Sequence, residues 1–196
     1  MKLLNPGHES ESVGGSLYYN SKSGTCYSGQ NNATTSCNFT STGIKNDTTR
    51  NMIAETTYNT GGWNTSNIYS NVMYEKERGT TTVSNPNDGI TRATTWTGKI
   101  ALPYPSDYGY ATDLSKCSQT LYKYSDSTCK SNDWMYSVIT NSGSGVVWLL
   151  TPDSGCADIA FYVASTGSVY DGHYVYNANG VAPVLYLGSN QDIVAG

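Results

Sequence analysis

The residues able to do chemistry are few in this chain of 196, and their spacing limits what that chemistry is. There are five cysteines, Cys26, Cys37, Cys117, Cys129 and Cys156, and two histidines, His8 and His173. Cys26 and Cys37 bracket one Ser/Thr/Asn-rich stretch, and Cys117 and Cys129 bracket another. Free cysteine is usually buried in apolar surroundings. Two local pairs in polar loops therefore read as disulfides, Cys26–Cys37 and Cys117–Cys129, with free thiols as the plain alternative. Closing a loop of that size stabilises a fold by about 3 kcal/mol in the chain-entropy model. Cys156 is the odd one, either a small buried hydrophobe or a reactive thiol. No Cys-x-x-Cys or His spacing suits zinc, so no metal site is expected.

Catalytic signals are thin. His8 lies in an irregular opening segment, and His173 lies in Asp171-Gly172-His173-Tyr174, which reads as a hairpin tip. A Ser-His-Asp set would have to use one of them, and neither accompanies a G-x-S-x-G elbow. Paired carboxylates for glycoside chemistry cannot be picked out by spacing. No G-x-G-x-x-G, P-loop or H-E-x-x-H is present, so no cofactor is expected and an enzyme is not the favoured reading. Asn85, Asn87 and Asp88, or Asn132 and Asp133 beside Trp134, could offer oxygens to calcium, which takes about six to eight. The same residues build Asx turns, and turns are the reading preferred here.

Composition points to contact surface instead. Charged residues are only 13%, and there are 17 tyrosines against two phenylalanines. Typical soluble proteins carry about 25% charge. Solubility here rests on neutral hydrogen-bonding groups, and much of the apolar area is tyrosine, which buries a ring while keeping a hydroxyl wet. Tyr, Ser, Asn and Gly also dominate antibody paratopes. The competing reading is a loop-rich extracellular β protein that binds nothing. A net charge of -4 with no basic stripe argues against nucleic acid. No apolar run approaches the roughly 18 residues that span a bilayer, and no signal peptide opens the chain. Membrane contact by this segment is not expected.

The elements that must position these residues can be read in outline. Residues 1–43 suggest loops and short strands, including Ser16 to Tyr19. Asp47 could cap a helix from Thr48 to Tyr58, stopped by Gly61-Gly62. A second helix runs from Ser66 as cap to Gly79, with Ile68/Val72 and Tyr69/Met73 at i,i+4 spacing. Trp96 to Pro103 reads as a short strand, and Tyr104 to Tyr136 as mostly loop. Val146 to Pro152 reads as a buried strand containing Trp148. Ile159 to Val163, Ser168 to Tyr170, Tyr174 to Tyr176 and Val181 to Leu187 read as short strands with tight turns. Helices early and hairpins late imply α+β with an antiparallel sheet.

Two segments carry a resemblance. Trp148-Leu149-Leu150-Thr151-Pro152 and Gly180-Val181-Ala182-Pro183-Val184-Leu185-Tyr186-Leu187, with Trp96-Thr97-Gly98-Lys99-Ile100 and Tyr104 to Ala111 before them, resemble surface proteins of gut Firmicutes. Those proteins read W-x-L-x-P, then a variable hairpin, then G-V-R-P-V-L-Y-L. The likeness covers most of residues 44–195. Ala182 departs from it, standing where the family usually has Arg, so any ion pair of that Arg is missing. The family is similar to C-type-lectin-fold domains, including the variable proteins of diversity-generating retroelements.

The resemblance implies a C-type-lectin-like α+β fold: two helices on a twisted antiparallel sheet with long disulfide-tied loops. Residues 1–43 would form an irregular N-terminal part and 44–196 the ligand-binding domain. It also implies a pilin-like helix ahead of Met1 that would supply targeting and an anchor, and so a cell-surface or extracellular location. The ligand would be an external protein or glycan. The expected contacts are Tyr162, Tyr170, Asp171, His173, Tyr174, Tyr176, Asn177 and Asn179. Adenine-directed mutagenesis of Asn codons cannot yield Gln, Glu, Lys, Met or Trp, and residues 157–187 contain none of these. A fixed polar hairpin would look the same. Two further readings stay open: an enzyme akin to formylglycine-generating enzymes, which have a related fold and need paired cysteines, and a structural pilin or wall protein without a ligand.

Overall fold

A computed structural model describes residues 17–18, 51–79, 94–140, 145–156, 158–175 and 177–188. The fold is α+β. Its largest sheet has five strands: β1 (Leu17–Tyr18), β5 (Val147–Pro152), β6 (Ile159–Val163), β7 (Val169–Tyr174) and β8 (Ala178–Val181), in the order β1-β8-β5-β6-β7. Two small ribbons flank it, β2 (Thr56–Asn59) with β3 (Thr95–Gly98), and β4 (Ile100–Ala101) with β9 (Val184–Leu185). Four helices are described: α1 (Ser70–Glu77), α2 (Pro105–Tyr110), α3 (Ser127–Ser131) and α4 (Trp134–Thr140).

The expected antiparallel sheet needs one correction. β5 pairs with β6 and β6 with β7 antiparallel, but β8 lies parallel to β5. A parallel neighbour requires the chain to cross back. Here it returns over the face that carries His173, bringing Asn177 and Asn179 to that ring. The β6–β7 turn is sharp because Gly167 adopts φ +95°, a left-handed conformation that side chains resist. The Tyr108 hydroxyl donates to the Gly167 carbonyl at 2.9 Å and pins that turn to α2.

Other expectations are overturned for local reasons. The helix over 48–58 does not hold: Asn51 and Met52 are helical, but Thr56 to Asn59 is strand β2. Consecutive β-branched residues favour a strand, and the Thr57 and Thr97 hydroxyls bond across the β2–β3 ribbon at 3.0 Å. Ser66 does not cap α1, which begins after Tyr69. The carbonyls of Ser66 and Ile68 instead accept from the backbone N–H groups of Tyr122 and Leu121. Gly79 stands just beyond the helix end, where it was expected.

The segment Tyr104 to Tyr136, expected as mostly loop, carries α2, α3, the start of α4 and the 3-10 turn Leu121–Lys123, joined by turns. Pro105 opens α2, a position where its missing N–H is no loss, and Asp107 accepts from the Tyr104 N–H at 3.0 Å. Asp126 caps α3 and Asp133 caps α4, each accepting from two backbone N–H groups. Asp133, weighed above as a calcium ligand, is therefore a helix cap, and Asn132 donates to the Thr128 carbonyl.

Trp148 is fully buried, as its place in an apolar strand implied. The main core joins Val147, Leu149, Phe161, Val163 and Val169 of the sheet to Tyr108, Leu121 and the Cys117–Cys129 disulfide. The expected Cys26–Cys37 bond lies outside the described residues. Between α1 and α2 sits a polar knot. The Glu77 side chain is wholly buried and accepts from the Ser106 N–H, the Ser106 hydroxyl and Arg78. Arg78 also donates to Asp107 at 2.9 Å. Burial outweighs these contacts and pushes the Glu77 carboxyl up to about 8.

Candidate functional site

Strands β6 and β7 present two different faces. Side chains alternate along a strand, so Phe161, Val163 and Val169 enter the main core while Tyr162 and Tyr170 point the other way. That second face is not simply solvent. Ala160 and Trp148 form a second, smaller core there with Val175 and Val181, and Tyr162 packs against it. The pairing shifts between Ala160 and Tyr162. Such an irregularity bends a strand and re-aims its side chains.

On this face three tyrosines assemble. Tyr162 and Tyr170 are cross-strand partners with stacked rings, centroids 5.4 Å apart. Tyr122 meets Tyr170 edge-on at 5.2 Å. It comes from the 3-10 turn Leu121–Lys123, which is tied to the backbone of Ser66 and Ile68 and anchored by the buried Leu121. Sequence reasoning missed Tyr122. Its partners lie about forty residues or more away in sequence, in a segment read as loop, and no local pattern marks it.

His173 is not at a hairpin tip but inside β7, opposite Ala160. Its ring lies 4.7 Å from Tyr162 and 5.3 Å from Trp148. The Asn177 amide is 3.1 Å from Nε2 and the Asn179 amide 2.7 Å from Nδ1. A neutral imidazole donates from one nitrogen and accepts at the other. One carboxamide therefore donates to the ring, and the other accepts from it through its oxygen. Burial holds the His173 pKa below its ordinary 6.5, which favours that neutral form. The His173 ring thus packs between Tyr162 and Trp148 with both of its nitrogens in contact with asparagine side chains.

The other expected contacts separate. Tyr174 is 48% exposed, and Asp171 is half-buried. Asp171 lies close enough to Tyr162 that its charge, after burial and Tyr170, helps push that phenol up. Asn179 is buried against the His173 ring, so it holds that ring beside Tyr162 rather than meeting solvent. Asn177 is half-buried against the same ring. Tyr176 lies outside the described residues.

Cys156 is free and half-buried. Burial and the Asp158 carboxylate push its thiol up, the reverse of what activates a nucleophilic cysteine. Among the described residues no group of three or more His, Cys, Asp or Glu side chains is placed to hold a metal. No helix among them is long and apolar enough to cross a membrane. No family model, no curated protein and no solved structure matches the chain.

Proposed function

We propose that this chain is an extracytoplasmic recognition domain with a C-type-lectin-like fold, binding an external protein or glycan through the β6–β7 face. The observation that carries this is the preassembled ring set Tyr122–Tyr170–Tyr162, flanked on the same face by His173 and its two asparagines. Tyrosine gives large, rigid contact area at low conformational-entropy cost, and rings already packed together lose little further freedom on binding. Tyr122, Tyr162, Tyr170 and Asp171 are the contact residues in this reading. His173, Asn177 and Asn179 hold them in place. Tyr174, between His173 and Val175, points to the opposite face with its partner Ile159.

A cell-surface location fits the Cys117–Cys129 disulfide, because such bonds persist in oxidising compartments. Diversification by a retroelement is part of the proposal, resting on the absence of Gln, Glu, Lys, Met and Trp from residues 157–187. The physical requirement is a face whose outward side chains change without unfolding the sheet. The separate inward set Phe161, Val163 and Val169 supports this, with Trp148, Ala160, Val175 and Val181 as the fixed residues of the other face.

The test is a screen of the intact chain against arrays of glycans and of bacterial and host surface proteins, repeated with Tyr122→Ala and Tyr170→Ala. Binding that falls in both variants supports the face. Hits that both variants retain count against it. Sequencing the locus for a nearby reverse transcriptase and a near-copy of the 3′ end tests diversification separately.

A further inference from the structure

A second surface shares no residue with the β6–β7 face. Helices α2 and α4 and strand β9 enclose a groove of about 380 Å³. That volume lies within the range of roughly 300–1,000 Å³ seen for small-molecule sites. Its walls include Tyr110, Trp134 and Tyr186, with Met135 and Leu185 between them and Asp107 at one side. Trp134 is 68% exposed, the most exposed large apolar side chain among the described residues, and Tyr110 and Tyr186 are each about half exposed. Exposed rings clustered around a concavity are the arrangement that marks a binding site rather than scattered surface apolarity.

Each ring is held by its own element. Trp134 is the first residue of α4, whose start is fixed by the Asp133 cap and by the Trp134 N–H donating to the Ala111 carbonyl. Tyr110 ends α2 and meets Tyr74 edge-on at 6.3 Å. Tyr186 packs 5.9 Å from the buried Tyr58, and its carbonyl accepts from the Ala54 N–H at 2.9 Å. The Tyr110 and Tyr186 rings are therefore held by ring contacts, and the backbone that carries Trp134 is fixed at the groove.

The charge on the walls decides the ligand class. Asp107 is the one charged residue lining the groove, and it arrives there already paired. One oxygen accepts from Arg78 at 2.9 Å and the other from the Tyr104 N–H at 3.0 Å. A cation finds little uncompensated negative charge here. An anion meets a carboxylate on a chain of net charge -4. A purely aliphatic ligand would leave the polar tips of two tyrosines and an indole beside it unmatched. What fits is a neutral ring with an apolar face to lay on an aromatic and hydroxyls around its edge to reach the remaining lone pairs of Asp107. We infer that this groove is a saccharide subsite taking a neutral pyranoside, stacked on Trp134 and oriented by Asp107.

The probes are the methyl glycosides of glucose, galactose and mannose, together with N-acetylglucosamine. Each is titrated into the isotope-labelled intact chain to about 10 mM, which reads any Kd near 1 mM. The expected result is a saturable shift of the Trp134 indole resonance with at least one of them. Trp134→Ala, whose melting temperature should match the parent because the ring is mostly exposed, should weaken the remaining shifts at Tyr110 and Tyr186 by about tenfold or more. Asp107→Asn should weaken them too. Three results would overturn the inference. One is no shift with any of the four probes. Another is undiminished binding by Trp134→Ala. The third is a parent chain that sediments as a dimer and becomes a monomer on Trp134→Ala, which would make the groove a contact between copies of this chain.

Discussion

Tyr162 and Tyr170 face each other across the β6–β7 pair with rings stacked at 5.4 Å, while the next pair along, Val163 and Val169, is fully buried on the opposite face. One register thus builds the core and the candidate recognition surface together. Because the two sets alternate, the outward set should be separable from folding. Tyr174→Ala should change stability by less than about 0.5–1 kcal/mol, as at other exposed sites. Tyr170→Ala should cost about 1–2 kcal/mol, since two aromatic contacts of about 0.5–1.5 kcal/mol each are lost in part to solvent. Val169→Ala should cost more than Tyr174→Ala, in keeping with core truncation. Urea unfolding of the three variants checks the order, and a reversed order would show that the faces are misassigned.

Trp148 ties the second core to the main sheet and has no exposed surface. Trp148→Ala should cost roughly 3–5 kcal/mol. A loss of that size removes most of the stability of a domain of this kind. His173 rests on Trp148, so the same variant should also change the environment of that imidazole. A variant that melts like the parent, with an unmoved His173 resonance, would contradict the packing described.

The Cys117–Cys129 bond lies within the main core, both residues being buried. Cys117→Ala with Cys129→Ala isolates it from the remaining cysteines. The double variant should lose about 3 kcal/mol in denaturant unfolding, the chain-entropy value for a loop of this size. It should also stop responding to reductant at this site. An unchanged midpoint would mean that the surrounding helices, not the bond, hold the segment.

How much of this was legible in the sequence follows the range of the interactions. Strands β5 and β6, the Gly167 turn, the buried Trp148 and the disulfide were readable because apolar runs, a turn glycine and paired cysteines are local signals. The helices α2 to α4 were not read, since their caps at Asp107, Asp126 and Asp133 look like ordinary polar loop residues until the backbone curls over them. The segment Thr56 to Asn59 was misread because its strand partner lies about forty residues on. At the site, the tyrosine-rich composition of residues 158–179 was visible in the sequence, but the meeting of Tyr122 with Tyr170 and of Asn179 with His173 depends on tertiary contact alone.

Glu77 gives the fold a pH signature. Its folded carboxyl is pushed up to about 8 from an ordinary 4.5, chiefly by burial. Between those values the folded chain holds a proton that the unfolded chain releases, so this group's contribution to stability falls as pH rises through that window. Glu77→Gln removes the titration, and the stability of the parent minus that of the variant isolates it. That difference should shrink between pH 5 and pH 8, at up to about 1.4 kcal/mol per pH unit. A difference that is flat or grows with pH would show that Arg78 dominates over burial and keeps the carboxylate ionised.

The central claim is that recognition resides on the Tyr122–Tyr170–Tyr162 face. The most direct measurement is the affinity of the chain for a ligand found by array screening, compared among the parent, Tyr122→Ala and Tyr170→Ala, with Tyr174→Ala as an exposed tyrosine on the opposite face of β7. The account predicts losses of about 1–2 kcal/mol or more at Tyr122 and Tyr170, the size expected of hot-spot rings, and no change at Tyr174. Affinity that is unaltered by Tyr122→Ala and Tyr170→Ala in folded variants would contradict it.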